Sequence, residues 1–210
     1  MRIMKLGCMP SKLDGTEHKF EALPNMELPV AYTYEPFMIP VTNQGNESTC
    51  VCHSLSAHLN WNANIETGDN DHDNGVCIPC IYNIREDKTV EGMTIKEALH
   101  YAYKSGVPSE NGNLKIRKYA MVGAIQTLKQ ALLMNGPCIG ALRVFNYFDE
   151  FWKRNYYDEF LGGHAISIIG WNTEGFIIRN SWGRSWGDGG HTTIKYEDFR
   201  HFLELWTVIS

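Results

Sequence analysis

Apolar residues recur at helical spacing in three stretches of the chain. Cys52, Leu55, Leu59 and Ala63 fall on one face of a helix expected over 48–66, with Ser48 or Thr49 to cap it and Gly68 to close it. A second helix is expected over 94–105. Thr94 and Glu97 have capping-box spacing, Leu99 and Ala102 supply part of the buried face, and Gly106 with Pro108 ends it. A third covers 123–135, with Ile125, Leu128 and Leu132 on one side and Gly136-Pro137 as the stop.

Beyond Pro137 the pattern changes. Segments 138–145, 164–171, 175–180 and 190–196 are short, rich in Ile, Val, Thr and aromatics, and separated by Gly, Asn and Asp, as strands are. Helices in the first half and strands in the second predict segregated α+β, with a seam near residue 120 and a cleft between two lobes as the natural place for a site. Five of the eight prolines lie within residues 1–40, which marks that stretch as extended and loop-rich.

Composition narrows the possibilities. With 210 residues and 43% hydrophobic content, the chain can bury a real core without metal or disulfides. The longest apolar stretches, such as Ala165 to Trp171, fall far short of the ~18 residues that span a bilayer. A net charge of −5 and the absence of a Lys/Arg run argue against binding nucleic acid. No membrane association and no Sec signal are read from the sequence, so a cytoplasmic location is expected.

Six cysteines admit a disulfide framework or free thiols, and free thiols are the expectation here. Cys138 sits in an apolar segment and reads as a small buried hydrophobe. Cys50-x-Cys52-His53 with Cys77-x-x-Cys80 invites a zinc reading. Side chains two apart on a helix diverge by about 200°, however, so Cys50 and Cys52 cannot share one ion without unwinding it. The run Asp69-Asn70-Asp71-His72-Asp73-Asn74-Gly75 imitates a calcium loop, but its glycine is one place late and Cys80 stands where a glutamate is needed. A solvated polar loop and no metal site are expected.

Three segments carry candidate chemistry. Gln44 lies six residues before Cys50, which opens the first helix. Gly163-His164-Ala165 opens a strand. Asn180-Ser181-Trp182-Gly183 precedes the glycine-rich run Ser185 to Gly190. A cysteine on the first turn of a helix sees unpaired N–H groups and the positive dipole end, which favour thiolate. As a nucleophile it needs a base, and the base needs a third group to orient it. Acyl transfer also needs donors aimed at the developing oxyanion, which Gln44 and the Cys50 N–H can supply. Taken singly, each of these residues has an ordinary structural role in packing or turns; together they fill four roles in compatible settings.

In that order the residues resemble the papain-like cysteine peptidases over about residues 28–200, in the style of compact bacterial and phage members without a propeptide. The resemblance implies a two-lobed fold, a helical lobe followed by an antiparallel barrel-like lobe, with the site in the cleft between them. It divides the chain into a leader (1–27), a lobe carrying the nucleophile (28–118) and a lobe carrying His and Asn (119–210). It implies Cys50 as nucleophile, His164 as its ion-pair partner and general acid/base, Asn180 as the group orienting His164, Gln44 in the oxyanion hole and Trp182 shielding the Asn–His bond. Ala141, Gly163 and Ala165 would line a roomy substrate pocket by the same analogy. Two positions depart from the family pattern, Glu47 in place of a cysteine and Val51 in place of an aromatic. The missing cysteine removes a disulfide typical of secreted members. Glu47 should oppose thiolate formation, and His53 one turn on should offset it.

The implied activity is hydrolysis of peptide bonds in a protein or peptide substrate through an acyl-enzyme, with no cofactor. A bell-shaped pH profile follows, the ion pair setting its acid limb and loss of the His164 proton its alkaline limb. Without a propeptide, activity is expected to be limited by location, by substrate access or by the short leader, which includes Leu6 to Pro10. An inactive papain-like binding module remains an alternative, as does a thiol amidase or isopeptidase, because a thiolate–imidazolium pair attacks any well-placed acyl carbon.

Overall fold

The first half of the chain, in a computed structural model that describes residues 4–69 and 72–210, begins with two short strands, β1 (Cys8–Met9) and β2 (Tyr32–Thr33), ahead of α1 (Cys50–Thr67) and α2 (Ile78–Tyr82). Next come β3 (Met93–Thr94), α3 (Ile95–Lys104), β4 (Val107–Ser109), β5 (Gly112–Leu114) and β6 (Lys118–Met121). The second half holds α4 (Ile125–Asn135), β7 (Cys138–Val144), β8 (Gly162–Trp171), β9 (Gly175–Arg179), β10 (His191–Lys195) and β11 (Phe202–Ile209). The main sheet is antiparallel in the order β10-β9-β8-β7-β11-β6, and β2 also pairs with β8. The three helices and four strands expected from the pattern are present within a few residues of their expected bounds. β11 was not among them, although it lies in the sheet between β7 and β6.

α1 is buried on almost every side, not along one stripe. Cys52, Leu55, Leu59 and Ala63 are buried as expected, and so are Ser54, Ser56, His58, Asn60 and Asn64 on other faces. Buried polar groups need partners, and these have them. His58 Nδ1 meets the Pro137 carbonyl at 2.8 Å, and Asn60 Nδ2 donates to the Ser56 carbonyl at 3.1 Å. Asn74 donates from its backbone N–H to Asn60 Oδ1 and from Nδ2 to Asn64 Oδ1. This end of the expected calcium-like loop is therefore tied to α1 instead of being solvated; residues 70 and 71 of that loop lie outside the described residues. Gly68 closes α1 in the left-handed conformation at φ +74°. The expected side-chain cap is not made: Thr49 is the N-cap, and its buried hydroxyl has no partner among the described residues. α3 has the full capping box, Glu97 N–H to Thr94 Oγ1 and Thr94 N–H to Glu97 Oε2.

One core lies between α1, α3 and the sheet, around Leu55, Ile95, Leu99, Ala165 and Trp206. The other lies between α4 and the opposite part of the sheet, around Leu128, Leu132, Trp152, Trp171 and Phe176. Gly136, at φ +88°, faces the ring of Trp61 so closely that a Cβ would overlap it. Glycine meets both demands at that corner.

The first residues do not stand apart from this body. β1 pairs in parallel with β3, and the Gly7 carbonyl accepts from Met93 N–H at 2.9 Å. Further along, Phe20 N–H donates to the Met121 carbonyl, and Gln130 exchanges two hydrogen bonds with the backbone of Leu23. No helix among the described residues is long and apolar enough to cross a membrane.

Candidate active site

Cys50 is the first residue of α1, and that helix end abuts β8. The backbone N–H groups of Ala165 and Gly7 act on the Cys50 thiol and pull its pKa down. Ala165 directly follows His164, so the thiol lies against the strand that carries the imidazole. His164 Nε2 meets Asn180 Oδ1 at 2.7 Å, which fixes the ring's orientation, and its Nδ1 has no hydrogen-bond partner among the described residues. Trp182 stacks on the imidazole with centroids 4.6 Å apart and planes 27° from parallel. Phe151 meets the ring edge-on at 5.7 Å, and Trp186 packs against Trp182, so the His–Asn bond sits under an aromatic cover. Tertiary packing alone reveals Phe151, which belongs to an irregular segment without periodicity.

Gln44 is held from both ends. Its Oε1 accepts from Ser181 Oγ at 2.7 Å, and its backbone N–H donates to the Ser181 carbonyl at 2.9 Å. Ser181 also donates its N–H to Asn180 Oδ1. One serine thereby couples the segment carrying Gln44 to the residue that orients His164. Its place between Asn180 and Trp182 in the motif was visible in the sequence; the coupling was not.

Residues 4–8 lie against these groups. Gln44 Nε2 donates to the Lys5 carbonyl at 2.9 Å and to the Glu47 carbonyl at 2.8 Å. Tyr147 Oη donates to the Met4 carbonyl at 3.0 Å. Gly7 and Gly163 sit so close to the carbonyls of Ser48 and Cys8 that a Cβ on either would overlap them. Ala141 and Ala165 are cross-strand partners and share a buried cluster with Cys8. Gly163 borders a neighbouring cavity of about 680 Å³ together with Cys8 and Glu204. Of the three suggested pocket residues, Gly163 borders a cavity, whereas Ala141 and Ala165 are packed in the core with Leu55 and Trp206 and do not open onto it.

Electrostatics here differ from the expected ion pair. Cys50 and His164 are fully buried. Burial pushes the Cys50 thiol above its ordinary range, outweighing the N–H groups of Ala165, Gly7, Val51 and Cys50 itself, which pull it down. Burial brings His164 down to about 4 in spite of the bond to Asn180, and His53 lowers it further. In this buried arrangement both groups are neutral at pH 7. His53 is also held at about 4 by burial, so it supplies no positive charge against Glu47. Glu47 is exposed, and its charge acts on Cys52.

The cysteines correct one expectation. Cys8, Cys50, Cys52 and Cys138 are free and buried, whereas Cys77 and Cys80 are joined in a disulfide. Cys52 packs its sulfur against Met93, and burial pushes Cys138 up to about 12, in keeping with two packing thiols.

Residues 109–202, which include His164 and Asn180, match the family model described as papain family cysteine protease. A gut-specific cysteine proteinase of Caenorhabditis elegans is 31% identical over 130 residues, covering 57% of this chain and 38% of its own length. A probable cysteine proteinase of Invertebrate iridescent virus 6 is 28% identical over 154 residues, covering 53% and 34%. The chain thus spans little more than a third of the length of these curated relatives. Among solved structures, xylellain, a cysteine protease from Xylella fastidiosa, superposes with a TM-score of 0.83 at 19% identity over 98% of this chain and 96% of that one. Procathepsin B of Trypanosoma congolense superposes with a TM-score of 0.77 at 15% identity, over 98% and 87%. The fold is the two-lobed papain-like fold, and residues 109–202 are similar in sequence to the papain family of cysteine proteases.

Proposed function

We propose that the protein is a cysteine peptidase whose cleft is closed by its own leader in the state described. The observation that carries this reading is a peptide already lying in the site. The Lys5 carbonyl sits on Gln44 Nε2, where a donor would meet a developing oxyanion, while the nearby Gly7 N–H pulls the pKa of the Cys50 thiol down. In this reading Cys50 is the nucleophile, and its N–H together with Gln44 Nε2 holds the tetrahedral oxyanion. His164, kept in one orientation by Asn180 and shielded by Trp182, protonates the leaving amine and then activates water to release the acyl group.

Residues 1–27 act as a leader on residues 28–118 and 119–210, and water returns to the cleft when it lifts. Solvation lowers the cost of charge on both partners, so the thiol pKa falls, the imidazole pKa rises, and the ion pair forms. Gly163 then borders a pocket for a side chain of a protein or peptide substrate, with Ala141 and Ala165 packed behind it. A cytoplasmic setting is compatible with the four cysteines held as free thiols.

The test is hydrolysis of a fluorogenic peptide library by the full chain and by a variant lacking residues 1–11, with Cys50→Ala as control. Turnover that rises on truncation and vanishes in Cys50→Ala supports the reading. Peptide binding by the truncated protein without turnover would sink it.

A further inference from the structure

Cys77 and Cys80 bracket Ile78-Pro79 at the start of α2, far along the chain from the thiols in the cleft. Their bond adds little as a staple. It closes a loop of three-residue separation, so it removes little freedom from the unfolded chain. The same turn is already closed by the backbone, with Ile81 N–H donating to the Cys77 carbonyl and Asn83 N–H to the Pro79 carbonyl. α2 is also anchored without it, since Ile81 is fully buried and Tyr82 Oη accepts from the Gly92 N–H at 3.1 Å. The pair is accessible where the other cysteines are not. Cys77 and Cys80 are half-buried beside an exposed Pro79, whereas Cys8, Cys50, Cys52 and Cys138 are buried. The two sulfurs are also unequal. Cys77 Sγ accepts the Cys80 backbone N–H at 3.2 Å, a bond that strengthens when that sulfur carries negative charge.

We propose that Cys77-Ile78-Pro79-Cys80 is a thiol–disulfide exchange site, reduced by a dithiol and reoxidised by a small disulfide, with Cys77 as the exchanging sulfur. In reduction, a thiolate of the dithiol attacks Cys77 Sγ. The Cys77–Cys80 bond breaks, and Cys80 leaves as a thiolate and takes up a proton. The second thiol of the reductant then attacks the mixed disulfide, releasing Cys77. Two electrons and two protons pass to the protein, and the reductant becomes a disulfide. In reoxidation, the Cys77 thiolate attacks a disulfide such as glutathione disulfide, and Cys80 resolves the mixed disulfide by expelling the second thiolate.

The test uses the intact protein and reads thiols, so its outcome is independent of peptidase activity. The chain is equilibrated in graded ratios of reduced to oxidised dithiothreitol and alkylated, and the label is mapped by mass spectrometry. Circular dichroism is followed in parallel. Cys77 and Cys80 should interconvert together and reversibly while the folded signal persists and Cys52 and Cys138 stay unlabelled. A pair that is reduced only when the folded signal is lost is a staple and overturns the proposal, as do two thiols that never pair at any ratio. Cys80→Ser and Cys77→Ser then separate the sulfurs. The mixed disulfide with glutathione should form roughly tenfold faster at Cys77 than at Cys80. Equal or reversed rates overturn the role given to Cys77.

Discussion

Replacing Gly7 by alanine would put a methyl group onto the carbonyl of Ser48, inside van der Waals contact. Both sides of that contact are backbone, so no side chain can rotate away. Ser48 is held two residues ahead of Cys50 at the start of α1, and Gly7 is held through its carbonyl by Met93 N–H. The strain is relieved when the leader lifts. Overpacked contacts cost about 1–3 kcal/mol. At about 1.4 kcal/mol per tenfold, this moves the balance of lifted to seated leader by roughly 5- to 150-fold. The seated leader covers the Cys50 thiol, so the alkylation rate should follow the lifted fraction. Iodoacetamide labelling of Cys50, quenched at intervals and mapped by mass spectrometry, should accelerate by that factor until the lifted form is the majority. Leu13→Ala, at an exposed leader position, should leave the rate where it is. If Gly7→Ala reacts at the wild-type rate while deletion of residues 1–11 accelerates labelling, the Gly7–Ser48 contact is not what seats the leader. If neither change accelerates it, the leader does not occlude the thiol at all.

Ser181→Ala leaves the buried Gln44 Oε1 without its donor, a loss of about 1–3 kcal/mol. In the leader-truncated protein it should lower kcat/KM by roughly 5- to 150-fold with Cys50 alkylation unchanged; a parallel fall in alkylation would show that Ser181 acts on the thiol instead. Deleting residues 1–11 should shift the pH midpoint of Cys50 alkylation downward, because burial is what holds the thiol up. A pH titration of labelling with the same midpoint in both proteins would refute this. His53, His58 and His164 are each held at about 4 by burial, below the ordinary value near 6.5, so the unfolded chain takes up protons first. Their contribution to stability is whole above pH about 6.5 and drains away as the pH falls toward 4. For the fully buried His58 the gap is worth roughly 3 kcal/mol. The urea midpoint should therefore fall between pH about 7 and about 5, and fall less in His58→Gln; equal falls would refute the assignment.

Part of this was legible because the chemistry is written in short, distinctive segments. Gly163-His164 opens a strand, and Asn180-Ser181-Trp182 follows another, so the sequence alone places the imidazole, its amide and its indole cover near one another in kind. β11 escaped for a local reason. Its run Phe202-Leu203-Glu204-Leu205-Trp206 has a register shift between Phe202 and Glu204, which leaves Leu203 exposed and Glu204 buried and so breaks the alternation that marks a strand. The second buried face of α1 escaped because Ser54, Ser56, Asn60 and Asn64 look like a solvent face. Only partners far along the chain, such as Asn74 for Asn60, make them interior.

The leader's course lies further from the reach of pattern. Met4 to Met9 has no useful period, and its seat depends on glycines from separate segments. Gly7 gives room to Ser48, Gly163 to Cys8, and Gly92 to Gly7. Each absence of a side chain is unremarkable where it occurs and matters only across the fold. That long-range fit also overturns the expectation for the charge state of the site. Cys50 does open α1, and the N–H groups of Cys50 and Val51 do pull its pKa down, as a helix start should. Burial shuts water out of the same place, and desolvation outweighs those N–H groups and the bond from His164 to Asn180. In the proposed mechanism one set of residues supports two protonation states, a neutral pair under residues 4–9 and an ion pair in an open, hydrated cleft, and the choice between them falls to a segment that carries none of the catalytic chemistry itself.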